Sequence, residues 1–179
     1  MTNEVLKCIE TRRSVRRFRP DVPAREHIEA IIDAARFAPT WKNTQTARYT
    51  VIQGAKKDEI CDTCLPDFNA ATVRSAPVLV AMSTVHGRSG YERDGSPTTK
   101  MGDRWEYFDA GIACQTFCLA AHELGLATVI LGIYDEDRLP AAISLPEGEV
   151  LTALIALGYA DQQPAAPKRK TAEDLTRYV

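Results

Sequence analysis

The 179-residue chain lacks the short motifs of the common nucleotide-binding folds, and it has few residues suited to acid–base catalysis. It contains no Gly-x-Gly-x-x-Gly run and no Gly-x-x-x-x-Gly-Lys-Ser/Thr run. These absences argue against a Rossmann dinucleotide domain and a P-loop. With only three histidines, the sequence shows no catalytic constellation of its own.

The chain also lacks a strong charge imbalance and a long apolar run. A net charge of −2 and 7% aromatic residues argue against a nucleic-acid partner. The most apolar stretch, residues 110–133, is interrupted by Gln115, His122 and Glu123, so it predicts buried structure and no membrane partner. Charged residues near the N-terminus argue against a signal peptide. The odd number of cysteines, five, predicts reduced thiols in the cytoplasm.

The patterning predicts one domain, residues 1–179, of the α+β class, because helices and strands mix without a strict βαβ rhythm. The longest helix is apolar on most faces, which predicts burial all round, and a second copy of the chain could supply the cover. The polar excursion at 86–104 predicts a functional lid or a mobile loop. The predicted helices are 3–11, 24–37 and 105–124, with a short helix and a loop within 55–74, and the predicted strands are 48–53, 77–85, 127–133 and 150–160.

Four arginines and a serine fall within nine residues, "ETRRSVRRF" at 10–18. In an extended segment Arg12, Ser14 and Arg16 point to one side, and two guanidinium groups flanking a hydroxyl suit a phosphate. A second basic cluster, Lys168–Lys170, would complete this socket if the chain termini meet. The alternative is a solvated surface, with ion pairs to Glu10 and Asp21.

Four segments in series extend this interpretation: "IETRRSVRRF", "AARFAPTWKNTQTARYTVI", "GIACQTFCLAAHELGLATVILGI" and "VLTALIALGYA" with the later "KRKTAEDL". Together they resemble the FMN-dependent nitroreductase family. The resemblance implies a three-layer α-β-α sandwich with a mixed, mostly antiparallel sheet flanked by helices. It also implies an intertwined homodimer with two FMN sites at the subunit interface.

The resemblance implies a set of cofactor-binding residues and no metal. Arg12, Ser14 and Arg16 match residues that hold the FMN phosphate and ribityl chain, Arg13 contributes through its backbone, and Lys168 and Arg169 lie near the same phosphate. Pro39, Thr40, Trp41 and Asn43 match a loop that the partner subunit lays against the flavin ring. Ile130, Leu131 and Gly132 match a strand end on the other side of the ring. Gln45 matches a structural member of the loop, and Asn69 and Arg74 are weaker candidates for flavin contacts.

The implied activity is hydride transfer from NAD(P)H, a transient co-substrate, through flavin N5 to a nitroaromatic, a quinone or a similar small-molecule acceptor by a ping-pong mechanism. The flavin performs this chemistry, so no catalytic side chain is assigned. Trp41 and Lys42 stand where the family usually has small residues, which changes the floor of the substrate pocket. Two alternatives stay open. One is a protein that stores or senses FMN, and the other is an enzyme of the same fold with different flavin chemistry, such as flavin breakdown or reductive dehalogenation.

Cys61 and Cys64 form a Cys-x-x-Cys motif, but no second pair lies at a zinc-like spacing. Cys114 and Cys118 are one helical turn apart in an apolar stretch, which is typical of core residues. We assign no metal or redox role to these cysteines.

Overall fold

Two central strands with apolar residues on both faces form the middle of the protein. A computed structural model describes residues 3–179; Met1 and Thr2 of the predicted domain lie outside the described residues. Strands β1 (Ala47–Ile52), β2 (Val78–Val85), β3 (Ala127–Leu131) and β4 (Glu149–Gly158) form one sheet in the order β1-β2-β4-β3. All three strand pairs are antiparallel, and one parallel bridge, between Ser14 and Thr128, adds to the edge of the sheet at β3.

Helices cover both faces of this sheet. The helices are α1 (Glu4–Thr11), α2 (Arg25–Ala35), α3 (Gly54–Thr63), α4 (Asp67–Ser75), α5 (Arg104–Glu123), α6 (Arg138–Ala142) and α7 (Ala172–Leu175). Alternate residues of β2 divide between two cores, because successive side chains of a strand point to opposite faces. Val80 packs with α2 and α5, whereas Leu79 packs with α3, α4 and α6. The predicted three-layer α+β architecture is therefore confirmed.

Most predicted elements are present, with three corrections. The region predicted to hold a short helix and a loop, 55–74, holds two helices, α3 and α4, and the polar segment before β4 contains the short helix α6. The long helix is not buried all round within one chain, because Tyr107 and Phe108 are exposed. Within residues 3–179, no helix combines the length and the hydropathy needed to cross a bilayer.

The arginine-rich segment lies along the edge of the sheet. Val15 N donates to Thr128 O at 3.0 Å, and Arg19 N donates to Tyr159 O at 2.9 Å. Val15 and Phe18 are buried, so they fix the segment against the core. This anchoring leaves the side chains before Val15, and those between Val15 and Phe18, free to face outward.

Lys57 is a buried cation that caps a helix. Its side chain is 9% exposed, and its ammonium donates to the carbonyl oxygens of Val73 at 3.1 Å and Arg74 at 3.3 Å. Both carbonyls belong to the last turn of α4, where backbone acceptors lack a full set of partners within the helix; Val73 O also accepts from Ala76 N at 3.1 Å. Lys57 therefore joins α3 to the end of α4.

We expect Lys57→Met to lower the free energy of unfolding by about 1–3 kcal/mol, because it leaves the carbonyl of Arg74 unpaired while it keeps the apolar stem. Urea unfolding followed by circular dichroism measures this loss. The control is Lys56→Met, since Lys56 forms an exposed pair with Glu59 and such pairs contribute about 0–1 kcal/mol. Equal losses in the two variants would contradict the capping role.

Candidate functional site

The arginine-rich segment presents three side chains that no other residue engages. Arg17 pairs with Asp161 at 2.9 Å, and Arg19 lies 3.6 Å from Asp21. Within residues 3–179, by contrast, the side chains of Arg12, Ser14 and Arg16 make no hydrogen bond or ion pair. The surface ion-pair interpretation therefore explains the neighbouring arginines and leaves these three groups available to a ligand.

Arg13 differs from its neighbours, because its guanidinium is already engaged. It donates to the carbonyl oxygen of Glu10 at 2.6 Å and to that of Arg12 at 2.9 Å. Glu10 thus contacts this cluster through its backbone and forms no ion pair with it. A contribution from Arg13 to a ligand through its backbone is compatible with this geometry.

The two ends of the chain meet at this segment, as the socket requires. A cleft of about 430 Å³ is lined by Arg12, Arg13, Gln115 and Arg169. Lys168 precedes Arg169 in an exposed part of the tail. The structure therefore brings Arg169 beside the first arginines, and it leaves Lys168 exposed next to them.

A second cleft, of about 440 Å³, lies on the other side of Arg12 and Arg13 and reaches the start of β3. His122 lines it, and its Nε2 lies 2.8 Å from Thr11 Oγ1. Burial, and then the Arg12 guanidinium, lower the pKa of His122. His122 is thus a neutral partner of the segment.

The strand end at Ile130–Gly132 lies on the same edge of the sheet as the arginines. Ile130 and Gly132 are exposed and Leu131 is buried. Asn69 Nδ2 donates to Ile133 O at 2.8 Å, which places Asn69 beside this strand end. Arg74, the other weak candidate, pairs instead with Asp62 and lies outside this group.

The loop Pro39–Asn43 is positioned by a buried carboxylate of α5. Asp109, which is 3% exposed, accepts hydrogen bonds from Trp41 N at 2.9 Å and from Ser89 Oγ at 2.6 Å. The Trp41 ring lies 4.6 Å from that of Trp105, and Trp41 is half-buried. Pro39 and Asn43 are exposed.

The two groups of predicted residues lie at opposite ends of α5. Asp109 anchors the Trp41 loop, and His122 contacts the arginine-rich segment. Thirteen residues of helix separate these two anchors, which is about 20 Å at 1.5 Å per residue. A single chain therefore does not bring Pro39, Thr40, Trp41 and Asn43 to the arginines.

The excursion at 86–104 is anchored at its root, in contrast to the mobile loop that the sequence allowed. Buried Glu106 accepts hydrogen bonds from Gly87 N at 2.6 Å and from Arg88 N at 3.3 Å. Tyr91 and Pro97 form a bridge within the excursion. Neither Glu106 nor Asp109 was predicted from the sequence; their signal is two acidic residues in the first turns of an otherwise apolar helix.

A model of the nitroreductase family matches residues 9–159 of this chain. The chain belongs to the nitroreductase family. A Methanothermobacter thermautotrophicus protein, provisionally named NADH dehydrogenase/NAD(P)H nitroreductase, is 31% identical, with 90% of this chain and 80% of that protein covered. The FMN reductase [NAD(P)H] of Bacillus subtilis is 26% identical, with 93% and 70% covered.

Solved structures agree with this family assignment. A provisionally named nitroreductase from Desulfovibrio desulfuricans, solved in complex with FMN, has a TM-score of 0.79 at 28% identity and covers 100% of this chain and 99% of its own. A nitroreductase family protein from Streptococcus pneumoniae has a TM-score of 0.85 at 17% identity, covering 97% and 99%, which shows the shared fold.

Four of the five cysteines of this nitroreductase-family chain are buried. Cys61 and Cys64 are buried between α3 and the sheet, and burial raises the pKa of the Cys61 thiol. Cys114 and Cys118 are also buried. Among the described residues, no group of three or more His, Cys, Asp or Glu side chains is placed to hold a metal ion.

Proposed function

We propose that this protein is an FMN-dependent oxidoreductase that passes hydride from NAD(P)H to a small-molecule acceptor. The observation that carries the proposal is the group of unengaged donors on Arg12, Ser14 and Arg16, at the free edge of β3. Family membership supports it, as do the name of the Bacillus subtilis relative and the FMN complex of the Desulfovibrio desulfuricans structure.

The residues of this edge fit the parts of FMN. Two guanidinium groups and a hydroxyl suit a phosphate, because arginine donates paired hydrogen bonds to its oxygens. Arg169 lines the adjoining cleft, and Lys168 precedes it in the tail. The exposed strand end Ile130–Gly132, with Leu131 buried beneath it, offers an apolar surface for a planar ring. When bound, FMN supplies hydride transfer at N5, so this chain needs only to bind it, orient it and limit its contact with water.

We further propose a homodimer in which the partner supplies the Pro39–Asn43 loop. The separation of about 20 Å along α5 requires a second copy if both groups of residues are to meet one flavin. Exposed apolar residues mark surfaces that a partner would cover, on α1 at Val5 and Leu6 and on α5 at Tyr107 and Phe108. A symmetric dimer would complete two sites at once.

Gly111 supports the same interface. Glycine in a helix interior costs about 1 kcal/mol relative to alanine. Apart from its chain neighbours and the backbone of its own helix, no heavy atom of the described residues lies within 4 Å of the place that a Cβ would occupy. Close approach of a second chain at this exposed position supplies the reason for a glycine that the single chain does not.

The acceptor class follows from the aromatic surface beside the loop. Trp41 and Trp105 lie against each other, and Phe108 contacts Trp105 edge-on at 5.4 Å. Such a surface suits flat, electron-poor molecules such as nitroaromatics and quinones. NAD(P)H and the acceptor would bind at the same surface in turn, which gives a ping-pong mechanism. We propose that the protein works in the cytoplasm.

The first experiment is the visible spectrum of the purified protein, followed by anaerobic addition of NADH or NADPH. We expect flavin absorbance that bleaches on addition and returns when a quinone is supplied. Flavin that binds and does not bleach would contradict the oxidoreductase and favour storage or other flavin chemistry. A protein that does not bind added FMN would contradict the flavin site itself.

Arg12→Ala and Arg16→Ala should each weaken FMN binding about 10- to 150-fold, because each removes charge-assisted hydrogen bonds worth about 1.5–3 kcal/mol. Fluorescence titration of the flavin-free protein with FMN measures this. The matched control is Arg19→Ala, in the same segment, whose guanidinium already lies against Asp21 and Tyr159. Loss of affinity in all three variants alike would point to a general charge effect and not to a socket.

Phe108→Glu should yield a folded monomer that releases its flavin, because the carboxylate would be buried in the interface without a partner. Analytical ultracentrifugation and the flavin content of the same sample test both parts. The control is Val22→Glu, at a comparably exposed apolar position away from α5. A monomer that retains its flavin would show that the site is complete within one chain.

A further inference from the structure

A cleft of about 700 Å³ lies beside the loop that we assign to the flavin site. One wall is formed by Lys42–Thr44, which continue the loop from Trp41. The other is formed by the excursion, at Gly87, Arg88, Gly95 and the run Tyr91–Arg93. Neither the family match nor the proposed hydride transfer assigns a role to this cleft.

Side-chain contacts fix the two walls relative to each other. Lys42 Nζ donates to both carboxylate oxygens of Glu92, at 2.8 and 3.0 Å. At the base of the cleft, the hydroxyls of Thr44 and Ser89 are 2.7 Å apart, and Ser89 Oγ donates to buried Asp109. The cleft therefore lies between two segments that side-chain hydrogen bonds hold in place.

The cleft carries two cations that lack protein partners. Hydrogen bonds from Lys42 and then Thr98 lower the pKa of Glu92, so this carboxylate is charged and offsets Lys42. In the part of the chain that the structure describes, the guanidinium groups of Arg88 and Arg93 make no hydrogen bond or ion pair. The neighbouring Asp94 accepts from the backbone and hydroxyl of Ser96. Among the residues that line the cleft, Glu92 offsets Lys42, so the lining carries the two further positive charges of Arg88 and Arg93, with the carboxylate of Asp94 next to Arg93 outside the lining.

We propose that this cleft binds the 2′-phosphate and adenine of NADPH, so that the enzyme prefers NADPH to NADH. A phosphomonoester carries between one and two negative charges near pH 7 and accepts paired hydrogen bonds from arginine. Tyr91 lines the same cleft and offers an aromatic face for adenine. NADH has no 2′-phosphate, so it cannot form these hydrogen bonds with Arg88 and Arg93.

The location of the cleft agrees with this assignment, which rests on the proposed function. Lys42 and Asn43 line the cleft, and Asn43 also belongs to the loop that we assign to the flavin of the partner subunit. A nucleotide that extends from this cleft along the loop therefore points its nicotinamide toward the flavin. The hydride step is unchanged; the cleft selects which donor performs it.

The test compares kcat/KM for NADPH and for NADH in the flavin-loaded enzyme. We expect the wild type to favour NADPH. In the double variant Arg88→Gln/Arg93→Gln, kcat/KM for NADPH should fall about 10- to 150-fold, mainly through KM, while that for NADH changes less than about 3-fold. The control is Arg104→Gln, which removes an arginine at the end of the same excursion but outside the cleft, and it should keep the wild-type preference.

A binding measurement supplies a readout that does not depend on turnover. Calorimetric titration should show that 2′,5′-ADP binds the wild type more tightly than 5′-AMP does, and that the double variant loses this difference. Equal use of the two dinucleotides by the wild type, equal losses for both in the double variant, or equal binding of the two mononucleotides would each overturn the proposal. Failure of the proposed function is distinguishable, since neither dinucleotide would then bleach the flavin.

Discussion

The packing of α5 against the sheet is the constraint on which the rest of the structure depends. Phe117 is fully buried at its centre and stacks on Tyr49 of β1 at 5.6 Å. Ala110, Ala113 and Ala121 lie on the same side and are buried. Small residues on a helix let its backbone approach the sheet closely, and the large ring then fills the space between them. The position of both ends of α5 follows from this central contact.

Each end of α5 organises a different part of the candidate site. The N-terminal turns bring two buried carboxylates, Glu106 and Asp109, to the backbone of the excursion and of the Trp41 loop. The C-terminal turns bring His122 to Thr11, at the start of the arginine-rich segment. Because a packed helix is stiff, the separation between these ends is fixed. In the homodimer that we propose, two copies related by a symmetry axis would bring unlike ends together without any change in the helix.

The sequence predicted those elements whose pattern depends on local periodicity. The run of β-branched residues in β2 and the i, i+3, i+4 spacing of Ile28, Ile31 and Ile32 in α2 both mark elements that appear where they were predicted. The sequence predicted one short helix within 55–74, where the structure has α3 and α4, and it did not predict α6. Helix α3 is only weakly amphipathic and its buried face includes Lys57, and α6 is a single turn after a run of acidic residues. Tertiary contacts, which periodicity does not report, stabilise both.

The candidate site likewise contains features that the sequence predicted and features that it did not. Arg12, Ser14 and Arg16 alternate along one short segment, so the sequence alone could predict that they share a side. The burial of Trp41 was not visible, since it depends on Trp105 and Asp109, which are more than sixty residues away. Nor did the sequence distinguish Arg17, which is paired with Asp161, from Arg16, which is not. These two arginines of one short segment differ because a residue from the other end of the chain pairs with only one of them.

The backbone of the Trp41 loop shows why the buried network is needed. Lys42, Asn43 and Gln45 have φ values of 45°, 56° and 52°, a region that residues with side chains rarely adopt. Each such residue costs on the order of 1 kcal/mol or more, and the conformation persists only where surrounding contacts over-determine it. Asp109 supplies one contact at Trp41 N, and Thr40 Oγ1 supplies another by accepting from Gln45 N at 3.1 Å. Without them the loop would relax, and Lys42 would leave Glu92. Asp109 also accepts from Ser89 in the excursion that carries Arg88 and Arg93, so the loop that we propose for the flavin and the cleft that we propose for NADPH share one anchor.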